Sequence, residues 1–222
     1  MMRVFFGFRI TGRENIPRTG GVLFVSNHQS YLDPLVNGTS LCDRPSRIFA
    51  RLTLFKWFPF NLLIRSLGAV PISGEASDKE TMRLGLAELA AGRTLLVYPE
   101  GARTLDGAMH AFKPGVGVLL KRSKVMVVPV GIDGAFDAWP RKGGIRLFRK
   151  VETEIGTPIS SEELLADGVR PALRRLENEV DALRMKCRDR IRKRTGGRQP
   201  AAGPADKPFN QLEGQGGDDD GG

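Results

Sequence analysis

Short apolar runs punctuate the chain at residues 21–26, 47–50, 69–72, 94–98 and 125–130. Each is bounded by glycine or by polar residues, the pattern of strands buried on both faces of a parallel sheet. Between them the spacing turns helical, from Pro34 to about Leu41, over 78–91 and over 115–122. Such alternation predicts a single α/β domain, a mostly parallel sheet flanked by helices. The shorter or alternating runs at 145–148 and 151–155 predict edge strands. Residues 161–194 read as helix, opened by Ser161 ahead of Glu162 and Glu163, broken or kinked at Pro171, and strongly basic at the end. The domain is thus expected to span residues 1–195. The Gly, Pro, Ala and Asp of residues 196–222 offer too little apolar area to order themselves and predict a disordered acidic tail.

With 41% apolar and 27% charged residues, the composition is that of a folded globular chain. Charge is more informative. The net is +9, but from Gln199 onward five acids face one lysine, so that tail is −4 and the remainder +13. A body this basic attracts phosphate-rich partners, whether nucleic acid, anionic lipid headgroups or a phosphorylated substrate. Nucleic acid is disfavoured, because the aromatics sit in apolar runs rather than between basic residues. Two distant cysteines, Cys42 and Cys187, lack histidines at metal-ligand spacing; they suit a reducing, cytoplasmic compartment without a disulfide framework or zinc site. Residues 1–10 do not look like a secretory signal, and no run approaches the roughly 20 apolar residues of a membrane span. If the chain works on membranes, it is expected to lie on them. The run 52–64, with Trp57 among phenylalanines and Lys56 and Arg65 as basic flanks, suits either an interfacial segment or a core helix pair interrupted at Pro59.

Candidate chemistry gathers where strands end. His28 follows the first long apolar run, at the carboxyl end where open α/β sheets place their ligand crevice. Asp33 lies five residues on; an unbroken helix would hold the two side chains about 140° apart, so the chain between them must turn. Asp33-Pro34 supplies a helix start, with Asp as N-cap and Pro at the first helical position. A carboxylate on one ring nitrogen fixes the tautomer and leaves the other nitrogen free to take a proton. The plainer alternative is a helix cap beside a polar loop histidine. A second group, Glu100, Gly101 and Arg103, also follows a strand and offers an acceptor, a flexible backbone and a fork suited to phosphate, or else a surface turn. Lys113 precedes a Pro-Gly helix start whose amides could face an anion. The second histidine, His110, is taken as a loop residue. No Gly-x-Ser-x-Gly elbow supports a hydrolase.

Taken in order, Asn27-His28 with Asp33, the stretch from Lys56 to Ile72, Pro99-Glu100-Gly101 with Arg103, and Val128-Pro129-Val130 resemble the four blocks of the glycerolipid acyltransferase family typified by 1-acylglycerol-3-phosphate acyltransferases. The resemblance runs from about Gly12 to Val130. It implies that His28 is the general base on the acceptor hydroxyl, oriented by Asp33, and that Glu100, Gly101 and Arg103 hold the acceptor's glycerol phosphate. It also implies acyl-CoA or acyl carrier protein as co-substrate, with no metal or other cofactor. The expected partners are that donor, a lysophospholipid acceptor and an anionic membrane surface on the cytoplasmic side; nucleic acid is not expected. Two positions depart from the family's pattern: Gly74 stands where an arginine for the phosphate is usual, and Ala102 where Thr or Ser is frequent. Gly74 leaves glycerol 3-phosphate, another lysophospholipid or a non-phosphate lipid as alternative acceptors. Family members often begin with membrane-embedded helices, whereas this sequence starts almost at the first block, so it is either peripheral or continued upstream.

Overall fold

The computed structural model describes residues 5–41, 44, 46–51, 56, 58, 61–62, 65, 68–72 and 78–213. Among these, eight strands form one sheet: β1 (Arg9–Thr11), β2 (Val22–Ser26), β3 (Ser46–Arg51), β4 (Ala69–Ile72), β5 (Thr94–Val97), β6 (Met126–Asp133), β7 (Glu152–Ile155) and β8 (Ile159–Ser160). The order is β1-β7-β6-β2-β5-β3-β4, with β8 also pairing β6. Strands β6, β2, β5, β3 and β4 are parallel, while β7 and β8 run antiparallel to β6. The helices are α1 (Asp33–Ser40), α2 (Asp78–Ala90), α3 (Gly115–Ser123), α4 (Ala135–Ala138), α5 (Ser161–Leu164), α6 (Val169–Thr195) and α7 (Phe209–Glu213).

The apolar runs are strands because both faces of the sheet are covered. Period two sends Leu23 and Val25 of β2 to one face, where they join Leu95, Val127, Leu120, Leu176 and Val180. Val22 and Phe24 go to the other face, with Leu96, Val128, Ile16, Leu41 and Ile48. Each such side chain contributes about 1.5–3 kcal/mol by leaving water, so a polar residue on either face of β2 would be costly. Pro129 is tolerated inside β6 because its peptide edge faces the corner between β7 and β8, where its carbonyl accepts the Gly156 N–H (2.8 Å) and no ladder donor is required. Gly131 is required by close approach: a Cβ there would lie 2.4 Å from the backbone nitrogen of Arg184. It lets α6 settle directly on β6.

The five predicted sheet strands and three flanking helices are found, with ends shifted by a residue or a few. Three expectations are corrected. Residues 145–148 form an exposed loop, and β7 within 151–155 lies between β1 and β6 rather than at an edge. The helical stretch breaks at 165–168, ahead of Gly168 with φ 100°, and not at Pro171. Pro171 sits in the first turn of α6, where the helix has no internal acceptor for its N–H, so none is missed. Thirdly, residues 196–213 are structured. Ala205 and Phe209 are buried against α6. Their backbone is held by fully buried Arg184, which donates to the carbonyls of Ala205 (2.7 Å) and Lys207 (3.2 Å), and by Asp181, which accepts the Phe209 N–H (2.8 Å). Asp206 receives Arg188 and Arg192 at 2.6 and 2.5 Å. Composition missed this because polar side chains of α6, rather than a hydrophobic run, hold the segment. Most of the run 52–64 and all of Cys42, Gly74 and 214–222 lie outside the described residues.

Candidate active site

The carboxyl end of β2 is tied to β6 by Asn27, which donates to the Ile132 carbonyl (2.9 Å) and accepts the Ile132 N–H (2.8 Å). Beyond it the chain turns sharply, with the Leu32 N–H bonded to the Ser30 hydroxyl (3.0 Å) and the Asp33 N–H to the Ser30 carbonyl (3.3 Å). Helix α1 then starts at Asp33, with Leu32 in the capping position. Asp33 is therefore not the expected N-cap. Its fully buried carboxylate points back into the turn, where Oδ2 accepts the N–H groups of Gln29 (2.6 Å) and Ser30 (2.7 Å) and meets Nδ1 of His28 at 2.7 Å. The two backbone donors fix the carboxylate, and the carboxylate fixes the ring. Among the described residues nothing bonds Nε2 of His28, whose side chain keeps 18% exposure, so that nitrogen faces the open side. The Tyr98 ring lies flat against the imidazole, with centroids 4.2 Å apart and planes 18° apart.

The second group closes on the first through the backbone. Thr104 N–H donates to the His28 carbonyl (3.0 Å), and the His28 N–H donates to Oε1 of Glu100 (2.6 Å). Oε2 of Glu100 accepts the His110 N–H (2.9 Å). Both oxygens of this buried carboxylate thus carry the framework of the histidine loop. Gly101 adopts φ 74°, the left-handed region that favours glycine, and the Lys113 side chain lies across it, its Nζ 2.7 Å from where a Cβ would stand. The Arg103 guanidinium sits 3.3 Å from the centre of the Tyr31 ring, and among the described residues its buried Nη1 has no hydrogen-bond partner. Tyr31 in turn leans on Trp139, centroids 5.1 Å apart. The structure therefore gathers His28, Asp33, Glu100, Gly101, Arg103 and Lys113 around one turn. His110 stays more than half exposed, with Nε2 3.3 Å from the Thr104 hydroxyl. Among the described residues no group of three or more His, Cys, Asp or Glu could hold a metal ion.

Tyr98, Tyr31 and Gln29 were not singled out in the sequence. Tyr98 reaches His28 because Val25 pairs with Val97, a register no local pattern reveals. Gln29 spans from Gly107 (2.9 Å) to the buried carboxylate of Asp133 (3.1 Å), which Arg188 also holds at 3.2 Å.

Burial pushes the Glu100 carboxyl from its ordinary 4.5 up to about 8, against the opposing pull of the His110 and His28 N–H groups. A raised carboxyl means that the folded state keeps a proton the unfolded chain has lost. Stability is then greatest at or below pH 4.5 and falls as pH rises from there to about 8. Glu100→Gln should remove up to about 1.4 kcal/mol per pH unit of that slope, read from urea unfolding at several pH values in the window. A slope shared unchanged by both proteins would refute the assignment.

The open α/β sheet thus bears a histidine–aspartate pair at the carboxyl end of a central strand, with an arginine and a lysine alongside. The family model described as Acyltransferase fits residues 7–133, and the chain belongs to that family. Its curated relatives include a chloroplastic 1-acyl-sn-glycerol-3-phosphate acyltransferase of Arabidopsis thaliana, 28% identical over 70% of this chain and 44% of the relative. A 1-acyl-sn-glycerol-3-phosphate acyltransferase of Bacillus subtilis is 23% identical over 80% of this chain and 92% of the relative. The chain spans about half the length of the plant relatives it matches. The crystal structure of the 1-acyl-sn-glycerophosphate acyltransferase PlsC of Thermotoga maritima shares the fold, with TM-score 0.62 and 24% identity over 87% of this chain and 74% of that one.

Proposed function

We propose that this protein transfers a fatty acyl group from acyl-CoA or acyl carrier protein to the free hydroxyl of 1-acylglycerol 3-phosphate, giving phosphatidic acid for phospholipid synthesis. The observation that carries the reading is the 2.7 Å contact between His28 Nδ1 and Asp33, with Nε2 left open beside the loop of Arg103. Nε2 removes the hydroxyl proton as the oxygen attacks the thioester carbonyl; the C–S bond breaks, and the imidazolium returns the proton to the leaving thiolate. Asp33 holds the ring in the tautomer that leaves Nε2 basic and stabilises the imidazolium. Arg103 is the phosphate ligand, its buried Nη1 having no hydrogen-bond partner among the described residues, and Lys113 adds a second cation. Glu100 acts through the backbone of His28 rather than on substrate. The acceptor assignment also draws on the named activity of the relatives.

No described helix is long and apolar enough to cross a membrane. Phe58 and Leu62 of the 52–64 run are 82% and 67% exposed, which favours its interfacial reading over a core helix pair. The enzyme would work as a peripheral protein on the cytoplasmic face.

The test is transfer of labelled acyl groups from acyl-CoA to a panel of acceptors. Lysophosphatidic acid should be used well and neutral monoacylglycerol poorly. Arg103→Ala should raise the KM for lysophosphatidic acid about tenfold or more, as loss of a charge-assisted contact does, while leaving the donor KM nearly unchanged. Equal use of neutral and phosphorylated acceptors would overturn the acceptor assignment.

A further inference from the structure

The stretch from Arg141 to Lys150 contains Arg141, Lys142, Arg146, Arg149 and Lys150, and no acid. Every residue from 141 to 148 is exposed. Interleaved with the cations are large apolar side chains that the fold leaves in water: Ile145 is 51% exposed, Leu147 50% and Phe148 63%. This is not a slack loop shedding its side chains at random. Arg146 N–H is bonded to the Ala138 carbonyl and Phe148 N–H to the Phe5 carbonyl, both at 2.7 Å. Phe148 adopts φ 63°, a left-handed conformation that costs energy in a bulky residue. The backbone is therefore fastened in a strained turn that presents a phenylalanine outward.

The base of the loop is joined to the site. The Trp139 carbonyl accepts from the hydroxyl of Ser30 (2.6 Å), two residues after His28, and the Arg141 guanidinium donates to the Arg103 carbonyl (3.3 Å). Leu105, two residues past Arg103, is itself 61% exposed.

We infer that residues 141–150 form a membrane-docking loop, in which Ile145, Leu147 and Phe148 enter the headgroup and acyl boundary of an anionic bilayer while Arg and Lys pair with lipid phosphates. Apolar side chains interleaved with cations and free of acids suit that boundary. Because the loop is fastened to the turns of Ser30 and Arg103, docking sets the mouth of the site at headgroup level, where a lysophospholipid presents its phosphate and hydroxyl. That consequence rests on the acyltransferase reading; the docking itself does not.

The experiment uses the full chain and vesicles of phosphatidylcholine with and without phosphatidylglycerol. In Phe148→Trp the added fluorescence, taken as the difference from wild type, should shift to the blue on anionic vesicles and be quenched by brominated acyl chains. An Ile145→Ser, Leu147→Ser, Phe148→Ser triple variant changes only exposed side chains and should keep the wild-type melting temperature. It should bind anionic vesicles about tenfold or more weakly, as expected when apolar area no longer enters the bilayer. A Lys142→Gln, Arg146→Gln, Arg149→Gln variant should lose most of the salt-sensitive part of binding. Wild-type vesicle affinity in the triple serine variant, with no change in the added emission of Phe148→Trp, would overturn the inference, as would a change in self-association alone. Absence of acyl transfer in the wild type would defeat the proposed function while leaving the vesicle results to decide docking.

Discussion

Replacing His28 by alanine should lower the turnover number for thiol release from acyl-CoA, measured with saturating lysophosphatidic acid, by about a thousandfold or more, within the range general acid–base groups supply. The fold should survive. The residue's structural bonds are made by its backbone, the N–H to Glu100 and the carbonyl to Thr104, and alanine keeps both. Asp33 Oδ2 would still accept the N–H groups of Gln29 and Ser30, so the turn stays anchored after the ring is gone. The melting temperature should therefore move by only a few degrees, roughly what a change of about 1 kcal/mol produces. The KM for lysophosphatidic acid should change little, since Arg103 and Lys113 are untouched. A purified, folded variant that turns over at the wild-type rate would end the general-base mechanism. His110 cannot stand in, because its ring lies beside Thr104 and Asp106 and is not oriented by the Asp33 carboxylate.

What the sequence revealed follows from where burial is two-sided. Strands β2, β5 and β6 read clearly because helices or loops cover both faces and leave unbroken apolar runs. Strands β1 and β8, three and two residues long, carry no readable period. Residues 145–148 mislead for the opposite reason: their mixture of apolar and basic residues imitates an edge strand, yet they face water in a loop. In the site, His28 and Asp33 were legible because chemistry and helix-start signals coincide there. Tyr98 depends on strand register, and Tyr31 on an arginine that arrives 72 residues later, so neither had a local signal. Glu100 belongs to the expected group, but its bonds to the His28 and His110 backbone have no local signal. Burial and the two backbone donors depend on the fold, and neither is written in the motif.

Asp33→Asn tests the orienting half of the pair, and the geometry predicts an outcome different from a simple loss of orientation. The N–H groups of Gln29 and Ser30 both point at Oδ2. An asparagine must put its oxygen there, because its NH2 would face two donors. That oxygen can still accept the Nδ1 proton of His28, so the tautomer is preserved and only the charge is lost. The turnover number should then fall about a hundredfold, less than the roughly 10⁴-fold loss seen in a serine protease whose tautomer is reversed by the same exchange. The asparagine NH2 must instead occupy the position of Oδ1, which is buried and has no partner among the described residues. One unpartnered buried atom thus replaces another, so the melting temperature should move by only a few degrees, roughly what a change of about 1 kcal/mol produces. Asp33→Ala separates the two effects. It releases the Gln29 and Ser30 N–H groups as well as the ring, so it should lose more stability than asparagine and at least as much turnover. Wild-type turnover in Asp33→Asn would show that the carboxylate's charge does not assist the imidazolium. A loss as large as that of His28→Ala would show that the two backbone donors do not hold the tautomer.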